Sequence, residues 1–146
     1  MYHFVWIPKY RHKDFMEPYR TTMKAIIKKI GYDYDIEIVE LEIPEDHIHM
    51  VIRSIPKQSP SDVMQIVKSI TAREFFRIYP EIKKKYFWGA KLWTQSYFVE
   101  TIGNANKKQL ENMFKISFES PRVCQRLNNL RNWNYEKIKS LYIRIS

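Results

Sequence analysis

Two histidines stand two residues apart near the middle of the chain, at the start of an apolar run. The branched and apolar residues of this run predict a β-strand, whose side chains point alternately to opposite faces. His47 and His49 therefore share one face. The other face carries apolar side chains, namely Ile48, Met50 and Ile52. This alternation predicts a strand that gives one face to the core and the other to a site.

Two neighbouring neutral imidazoles can bind one divalent cation, with a carboxylate or amide from elsewhere completing the coordination. The same spacing also suits two ordinary histidines at a strand end, hydrogen-bonded to the backbone or to Asp46. The spacing alone leaves both interpretations open. His47 and His49 are the candidate metal ligands.

Length and charge narrow the class of protein. The chain has 146 residues, of which 45% are hydrophobic, and this fits one domain with an adequate core. A net charge of +9 and a pI near 9.6 indicate a polyanionic partner, with nucleic acid the first candidate and an anionic membrane the second. The membrane interpretation is weaker because the sequence has no uninterrupted apolar run of about 18 residues.

Several other classes are disfavoured by what the sequence lacks. It has no recognisable N-terminal targeting pattern, so we expect a soluble cytoplasmic protein. Cys124 is the only cysteine, which excludes an intramolecular disulfide and argues against a thiolate metal cluster. The three glycines form neither of the common Gly-rich phosphate-binding patterns, which argues against nucleotide hydrolysis and dinucleotide redox chemistry.

Periodicity and turn signals predict an α+β fold. The first half is predicted to contain a strand over 2–7, a helix over 16–30 stopped by Gly31, a strand over 35–43 with a bulge between Ile38 and Val39, and the histidine strand. The second half is predicted to contain a helix from Ser59 to before Pro80, a strand over 92–102, a helix over about 106–118, and a helical tail over about 121–146. This order suits a ferredoxin-like domain, a four-stranded antiparallel sheet with helices on one face. In that plan the first and third strands are central, so the histidines lie mid-sheet on the face that the helices leave open.

Two basic segments contain aromatic residues. Lys9 and Arg11 flank a tyrosine, and Lys83, Lys84 and Lys85 run directly into Tyr86-Phe87-Trp88. Cations that follow a phosphate backbone and rings that stack on bases are typical of single-stranded nucleic-acid binding. The lysines and Arg11 are therefore candidate phosphate contacts and Trp88 a candidate stacking residue. The alternative is a solvated basic loop whose aromatic residues anchor it to the core.

Four stretches of the chain resemble the small single-tyrosine transposases of the HUH superfamily, the type found in insertion sequences and REP-associated elements. They are Tyr2-His3-Phe4-Val5-Trp6-Ile7-Pro8-Lys9-Tyr10-Arg11, Asp46-His47-Ile48-His49, Leu92-Trp93-Thr94-Gln95-Ser96 and Tyr97-Phe98-Val99-Glu100-Thr101-Ile102-Gly103. With the helices between them they span about residues 2–118, and their order and spacing agree with the family.

The resemblance implies DNA transposition by a homodimer that binds single-stranded DNA hairpins. It implies a divalent metal, Mg²⁺ or Mn²⁺, held by His47 and His49. It also implies a tyrosine nucleophile on the helix after the fourth strand, which attacks a DNA phosphodiester, forms a 5′-phosphotyrosine link and releases a free 3′-hydroxyl. Such a link conserves bond energy, so cleavage and rejoining need no ATP.

The chain departs from this pattern at the nucleophile. Counted from Gly103, the tyrosine position holds Met113, followed by Phe114, and neither side chain can attack phosphorus. The position at which relatives carry a metal-binding glutamine, one helical turn further on, holds Ser117. The enzyme assignment therefore stays open at its catalytic step.

Three explanations of this departure remain. The first is that the chain is a decayed or domesticated descendant that still binds DNA. The second is that the helix register differs from this count or that another tyrosine serves as nucleophile. The third is that the sequence is engineered or recoded. The alternative tyrosines are Tyr135 and Tyr142 in the tail and Tyr97 on the fourth strand. The other interpretation of each is an ordinary aromatic residue in the core or on the surface.

Two rival functions come from other classes. One is a binding module that uses the same sheet as a nucleic-acid platform, with histidines that never contact a metal. The other is a metal-dependent nuclease that activates water and cuts DNA without forming a protein–DNA link. The nuclease ranks last because Glu45 and Asp46 are the only acidic residues near the histidine pair in the sequence.

Overall fold

The computed structural model describes residues 1–9, 17–44, 47–53, 57–87, 89, 91–103 and 108. In this part of the chain the strands are β1 (Tyr2–Trp6), β2 (Ile38–Glu42), β3 (Ile48–Ile52) and β4 (Phe98–Thr101), and the helices are α1 (Tyr19–Asp33), α2 (Pro60–Ile78) and α3 (Pro80–Tyr86). The strands form one antiparallel sheet in the order β2-β3-β1-β4. The ferredoxin-like plan is therefore confirmed, with β1 and β3 at the centre.

The core lies between one face of this sheet and the helices. Phe4 and Trp6 of β1 are fully buried there, and so are Ile48 and Met50 of β3. From the helices, α1 and α2 contribute buried apolar side chains to the same cluster, namely Met23, Ile27, Val63, Met64 and Val67. Side chains of β1 and β3 thus alternate between the two faces of the sheet. Every second residue faces the core, and the residues between them, including His3 and His49, face the other side.

The bulge predicted in β2 is present. The pairing of β2 with β3 shifts register between Ile38 and Glu40, so β2 contains one extra residue. The alternation of its side chains between the two faces of the sheet is reversed at this point. The two strands are antiparallel, as the predicted ferredoxin-like plan requires. Residues 45 and 46 of the connecting turn lie outside the described residues.

The helix α2 begins where it was predicted, directly after Ser59. Ser59 is extended and its hydroxyl accepts a hydrogen bond from the Asp62 backbone N–H, while the Asp62 carboxylate accepts from the Ser59 N–H. Pro60 occupies the first helical position, where a missing N–H has no consequence. The helix then runs for 19 residues until Tyr79 and Pro80.

The prediction that Gly31 stops the first helix is wrong. The helix α1 continues through Gly31 to Asp33, and the chain turns at Tyr34 and Asp35, whose φ is 54°. A Cβ at Gly31 would lie 2.9 Å from Ile38 Cδ1 and 3.0 Å from the Ile36 carbonyl oxygen. This glycine therefore serves close packing of α1 against the entry to β2.

The fourth strand is shorter than predicted. Only Phe98–Thr101 pairs with β1, whereas Trp93 forms an isolated antiparallel bridge to Pro8. Between them, the carbonyls of residues 94–96 bind the Lys68 ammonium, and carbonyls turned to a cation are not available to a strand ladder. The short helix α3 was not predicted.

Backbone contacts divide the chain into two units, residues 1–102 and 103–146, and the elements above belong to the first. The predicted helix over 106–118 and the helical tail lie outside the described residues, apart from Lys108, which is helical. The arrangement of the chain as a single domain stays a prediction. Within the described ranges, no helix is both long and apolar enough to cross a membrane.

Candidate functional site

His47 and His49 lie together at the head of β3, on the sheet face opposite the helices. Their Nε2 atoms are 3.1 Å apart, and the ring planes are inclined at 77°. The predicted shared face is therefore confirmed. The face is not open, however, because each histidine is only 1% exposed.

A third histidine joins the pair from β1. His3 is paired with Val51 in the β1–β3 register, which places it diagonally next to His49 on the same face. The two rings are nearly coplanar, with centroids 5.3 Å apart and planes 10° from parallel. His3 Nε2 lies 3.0 Å from His49 Nδ1, so the two rings share a hydrogen bond.

Glu100 ends this chain of contacts from β4. It is directly opposite His3 in the β1–β4 register, and its Oε1 accepts a hydrogen bond of 2.9 Å from His3 Nδ1. The carboxylate is 36% exposed, whereas His3 is 1% exposed. Glu100, His3, His49 and His47 thus form a continuous row of hydrogen-bonded side chains across three strands, which we call the histidine row.

Burial keeps His49, a central member of the histidine row, in its neutral form. It lowers the pKa of His49 well below the ordinary value, and repulsion from His47 and from His3 lowers that pKa further. His49 is therefore neutral at neutral pH and has one nitrogen lone pair. A neutral imidazole is the form that binds metals.

The donor set fits a divalent cation in part. Adjacent ligand positions of an octahedral site with bonds of about 2.1 Å lie about 3 Å apart, and the two facing Nε2 atoms are separated by 3.1 Å. Across the described ranges, no group of three or more His, Cys, Asp or Glu side chains could hold a metal ion. His47 and His49 thus offer two adjacent ligand positions.

His3 and Glu100 were not singled out in the sequence, although both fall in stretches that carry the family resemblance. The signal that could have found them is the strand register. Once β1 is placed between β3 and β4, alternation puts His3, His49 and Glu100 on one face. That placement needs the pairing partners of β1, which no local pattern supplies.

The basic segment at 83–85 does not join the histidine row. Lys83, Lys84 and Lys85 form the last turn of α3, which packs in the helix layer through Ile82. Phe87 is fully buried in the core, so the core-anchoring alternative holds for this aromatic. Trp88 and Arg11 lie outside the described residues, and Lys9 is bound through its backbone N–H to the Leu92 carbonyl.

A basic depression of about 440 Å³ lies between α2 and α3. Its lining includes three cationic side chains, Arg73 and Arg77 of α2 and Lys83 of α3. Lys83 Nζ lies 5.9 Å from the centre of the Phe76 ring, and both arginines contact Glu74. Of the predicted phosphate contacts within the described residues, Lys83 lines this depression together with the two arginines.

Lys68 holds the segment before β4. Its Nζ donates to the carbonyl oxygens of Thr94, Gln95 and Ser96 at 2.7, 3.2 and 3.0 Å, and it lies 5.4 Å from the centre of the Tyr97 ring. Burial lowers the pKa of Lys68 to about 8. This lysine fixes one of the stretches that carry the family resemblance.

Tyr97 is the one alternative nucleophile within the described residues. Its ring lies 6.2 Å from Phe4, which faces the helices, so Tyr97 is on the opposite side of the sheet from the histidine row. We therefore assign it a packing role. The other positions named for catalysis or its loss lie outside the described residues, namely Met113, Phe114, Ser117, Tyr135 and Tyr142, as do Cys124, Glu45 and Asp46.

Solved structures of transposases share this fold. A Deinococcus radiodurans structure assigned as a transposase matches with a TM-score of 0.64 and 29% identity, over 79% of this chain and 88% of that one. The REP-associated tyrosine transposase bound to a REP hairpin matches with a TM-score of 0.52 and 14% identity, over 82% of this chain and 73% of that one. The class is thus a small α+β protein of the transposase type.

Sequence comparison identifies the family. Residues 1–113 match the family described as Transposase IS200 like. The chain is 31% identical over 110 residues to the ISDra2 transposase TnpA of Deinococcus radiodurans, covering 75% of this chain and 78% of that protein. It is 29% identical over 127 residues to the IS200 transposase of Salmonella typhimurium, covering 87% and 82%. This chain belongs to the IS200-like transposase family.

Proposed function

We propose that this protein binds single-stranded DNA hairpins and holds a divalent cation, Mg²⁺ or Mn²⁺, between His47 and His49. The observation that carries the proposal is the pair of buried Nε2 atoms 3.1 Å apart on a central strand. Buried ring nitrogens need partners, and here the two Nε2 atoms already lie within hydrogen-bond distance of each other. A shared cation uses both.

Charge supports the DNA part of the proposal. A net charge of +9 attracts a phosphate backbone, and the depression lined by Arg73, Arg77 and Lys83 concentrates that charge on one surface. The structurally similar REP-associated transposase is bound to a hairpin. We therefore place phosphate contacts at these three cations, and stacking at Trp88 remains part of the proposal.

The chemistry of the site follows from its donor atoms. A divalent cation bound by the two histidines would polarise a DNA phosphate and stabilise charge on its oxygens. The chain's own part is to present the neutral imidazole of His49, which burial keeps uncharged, and to keep bulk water away from both histidines. The remaining ligand positions would be filled by water, by the DNA or by residues beyond those described.

The covalent step is the part of the family's reaction that we propose to be missing. The position of the expected tyrosine holds Met113, and a thioether has no hydroxyl with which to form a phosphodiester link to DNA. Hairpin binding and metal binding would then persist without strand transfer. We also propose that the protein acts as a homodimer, as the family resemblance implies.

A stem-loop DNA carrying a labelled 3′ single-stranded flank tests the proposal. The protein is incubated with this DNA and Mg²⁺ or Mn²⁺, and the products are separated on native and denaturing gels. We expect a shifted complex on the native gel and no covalent adduct on the denaturing gel. Matched samples of M113Y and of M113Y/S117Q test whether the missing tyrosine hydroxyl is what prevents formation of a covalent adduct.

Each other result contradicts a named part of the proposal. Failure to shift the stem-loop removes hairpin binding. An adduct with the unchanged protein that disappears in Y135F or Y142F shows that another tyrosine serves as nucleophile. A cut strand with no attached protein shows a nuclease that uses activated water. Sedimentation of the protein with and without DNA tests the dimer separately.

A further inference from the structure

The histidine row contains two side chains to which the proposed function assigns no role, His3 and Glu100. Both are held in place by strand register, at 2.9 Å from each other and with His3 3.0 Å from His49. A buried histidine between a carboxylate and a candidate metal ligand constrains the proton positions of that ligand. These proton positions can be followed from one end of the row to the other.

The Glu100 carboxylate has only acceptor atoms, so His3 Nδ1 must donate the hydrogen bond between them. A neutral His3 then carries its lone pair on Nε2. That nitrogen accepts a hydrogen bond from His49 Nδ1, which must therefore hold the proton. The remaining nitrogen of His49, Nε2, is left with the lone pair, and this is the atom that faces His47.

We propose that Glu100 and His3 are positioning residues that fix the tautomer and ring orientation of His49 so that its Nε2 lone pair faces the cation position. The inference rests on the proposed metal role of His47 and His49. Metal-binding histidines commonly donate their second ring nitrogen to a carboxylate or carbonyl, which orients the ring and makes it more basic. Here the acceptor is a second imidazole, itself oriented by a carboxylate.

The alternative proton order is distinguishable. If His3 were an imidazolium, it would donate from both nitrogens, and His49 would carry its proton on Nε2. That proton would point at His47, and His49 could not bind a cation through the facing nitrogen. The two orders therefore predict opposite tautomers of His49 in the metal-free protein.

The first measurement is ¹⁵N–¹H correlation of the imidazole rings in the full-length, metal-free protein. We expect His49 with a protonated Nδ1 and an unprotonated Nε2, and His3 with a protonated Nδ1. A proton on His49 Nε2 overturns the proposal. This readout does not depend on metal binding, so it stands even where the proposed cation site fails.

The second measurement is Mn²⁺ affinity by calorimetry for substitutions at His3. H3F keeps a ring of similar size but cannot accept a hydrogen bond, and we expect Mn²⁺ to bind about 10- to 100-fold more weakly. H3Q offers an amide oxygen to His49 Nδ1 and should restore most of the affinity. Equal affinity of H3F and the unchanged protein overturns the proposal.

Glu100 supplies a second test because its side chain is partly exposed and its removal threatens the fold least. E100L removes the acceptor and should weaken Mn²⁺ binding, whereas E100Q retains one acceptor oxygen and should have a smaller effect. E81L, at an exposed position on α3, is the matched control for removal of a carboxylate. An effect of E81L equal to that of E100L would show that only overall charge matters. Absence of Mn²⁺ binding in the unchanged protein refutes the proposed function, and the tautomer measurement then decides the inference alone.

Discussion

His47 Nε2 and His49 Nε2 face each other across 3.1 Å on a sheet face from which solvent is almost excluded. Two polar nitrogens in such surroundings either hydrogen-bond to each other, with one proton between them, or share a cation. The first arrangement needs His47 to donate to His49. The second needs both lone pairs, so metal binding must displace a proton from this contact.

Removing either member of the pair should abolish metal binding. We expect calorimetric titration with Mn²⁺ to give heat with the unchanged protein and none with H47A or H49A, because one imidazole alone makes too few bonds to retain the ion. The matched control is H12A, which removes a histidine outside the pair. Unchanged heat in H47A would show that the pair serves only as a hydrogen-bonded support for the sheet, as in a binding module without metal.

The identity of the ligands also predicts a preference among cations. Two imidazole nitrogens are softer donors than the all-oxygen sets that Mg²⁺ prefers, and nitrogen sites bind divalent metals more tightly along the series from Mn²⁺ to Cu²⁺. We therefore expect Mn²⁺ to bind more tightly than Mg²⁺ and to displace it from the site. Competition titrations measure the ratio, and equal affinities would point to a site made mainly of oxygen ligands.

Gly31 should resist substitution although it lies in a helix. Alanine at an exposed helical position would gain about 1 kcal/mol over glycine, but here the new Cβ would meet Ile38 Cδ1 at 2.9 Å and the Ile36 carbonyl oxygen at 3.0 Å. We expect G31A to lower the free energy of unfolding by about 1 to 3 kcal/mol, measured by urea denaturation.

The double variant G31A/I38V separates the two contacts. It removes the terminal methyl of Ile38 but leaves the backbone oxygen of Ile36 in place, so we expect partial recovery relative to the I38V background. K28A, at an exposed position of α1, is the control for a helix substitution without a packing conflict. A stabilised G31A would mean that the entry to β2 moves away at little cost.

Gly31 also shows what the sequence could and could not predict. Signals that act within a few residues were interpreted correctly, such as the helix start at Ser59 and the bulge after Ile38. The role of Gly31 was misinterpreted because this glycine allows close contact with the entry to β2. Glycine occurs both where a helix ends and where two elements pack closely, and the sequence alone does not distinguish the two cases. The length of β4 was overestimated for a similar cause, the Lys68 contact to residues 94–96.

The same limit applies to the site. The shared face of His47 and His49 follows from strand alternation alone, so it was predictable. The contributions of His3 and Glu100 depend on which strands flank β1, and their sequence separations from their partners are 46 and 97 residues. The family resemblance identified the strands that carry them but did not assign these side chains a role.

The basic depression between α2 and α3 should contribute to DNA affinity. We expect R73A/R77A/K83A to weaken binding of a stem-loop with a single-stranded flank. The salt dependence should also fall, by about 0.7 in the slope of log K against log salt for each phosphate of a single strand that the variant no longer neutralises. Fluorescence anisotropy at several salt concentrations measures both quantities.

The control for this test removes the same charge elsewhere. K28A/K29A/K57A neutralises three exposed lysines that do not line the depression. If both triple variants reduce the affinity and the slope equally, DNA responds only to net charge and the depression is not a binding surface.

Lys68 predicts a pH dependence of stability that is specific to one side chain. Burial lowers its pKa in the folded protein to about 8 from an ordinary value of 10.5. Between these two values the unfolded chain binds more protons at this position than the folded chain, so the free energy of unfolding rises with pH. Below about pH 8 both states are protonated and the contribution is constant.

The variant K68M isolates this effect because it lacks the titrating group and keeps the length of the side chain. We expect the free energy of unfolding of the unchanged protein, relative to K68M, to increase between pH 7.5 and 10, by on the order of 1 kcal/mol once solvent screening of the half-buried group is allowed for. Urea denaturation of both proteins at several pH values measures the difference. A difference that does not change with pH would show that the three carbonyl acceptors at 94–96 offset the cost of burying the ammonium group, and that Lys68 keeps its ordinary pKa.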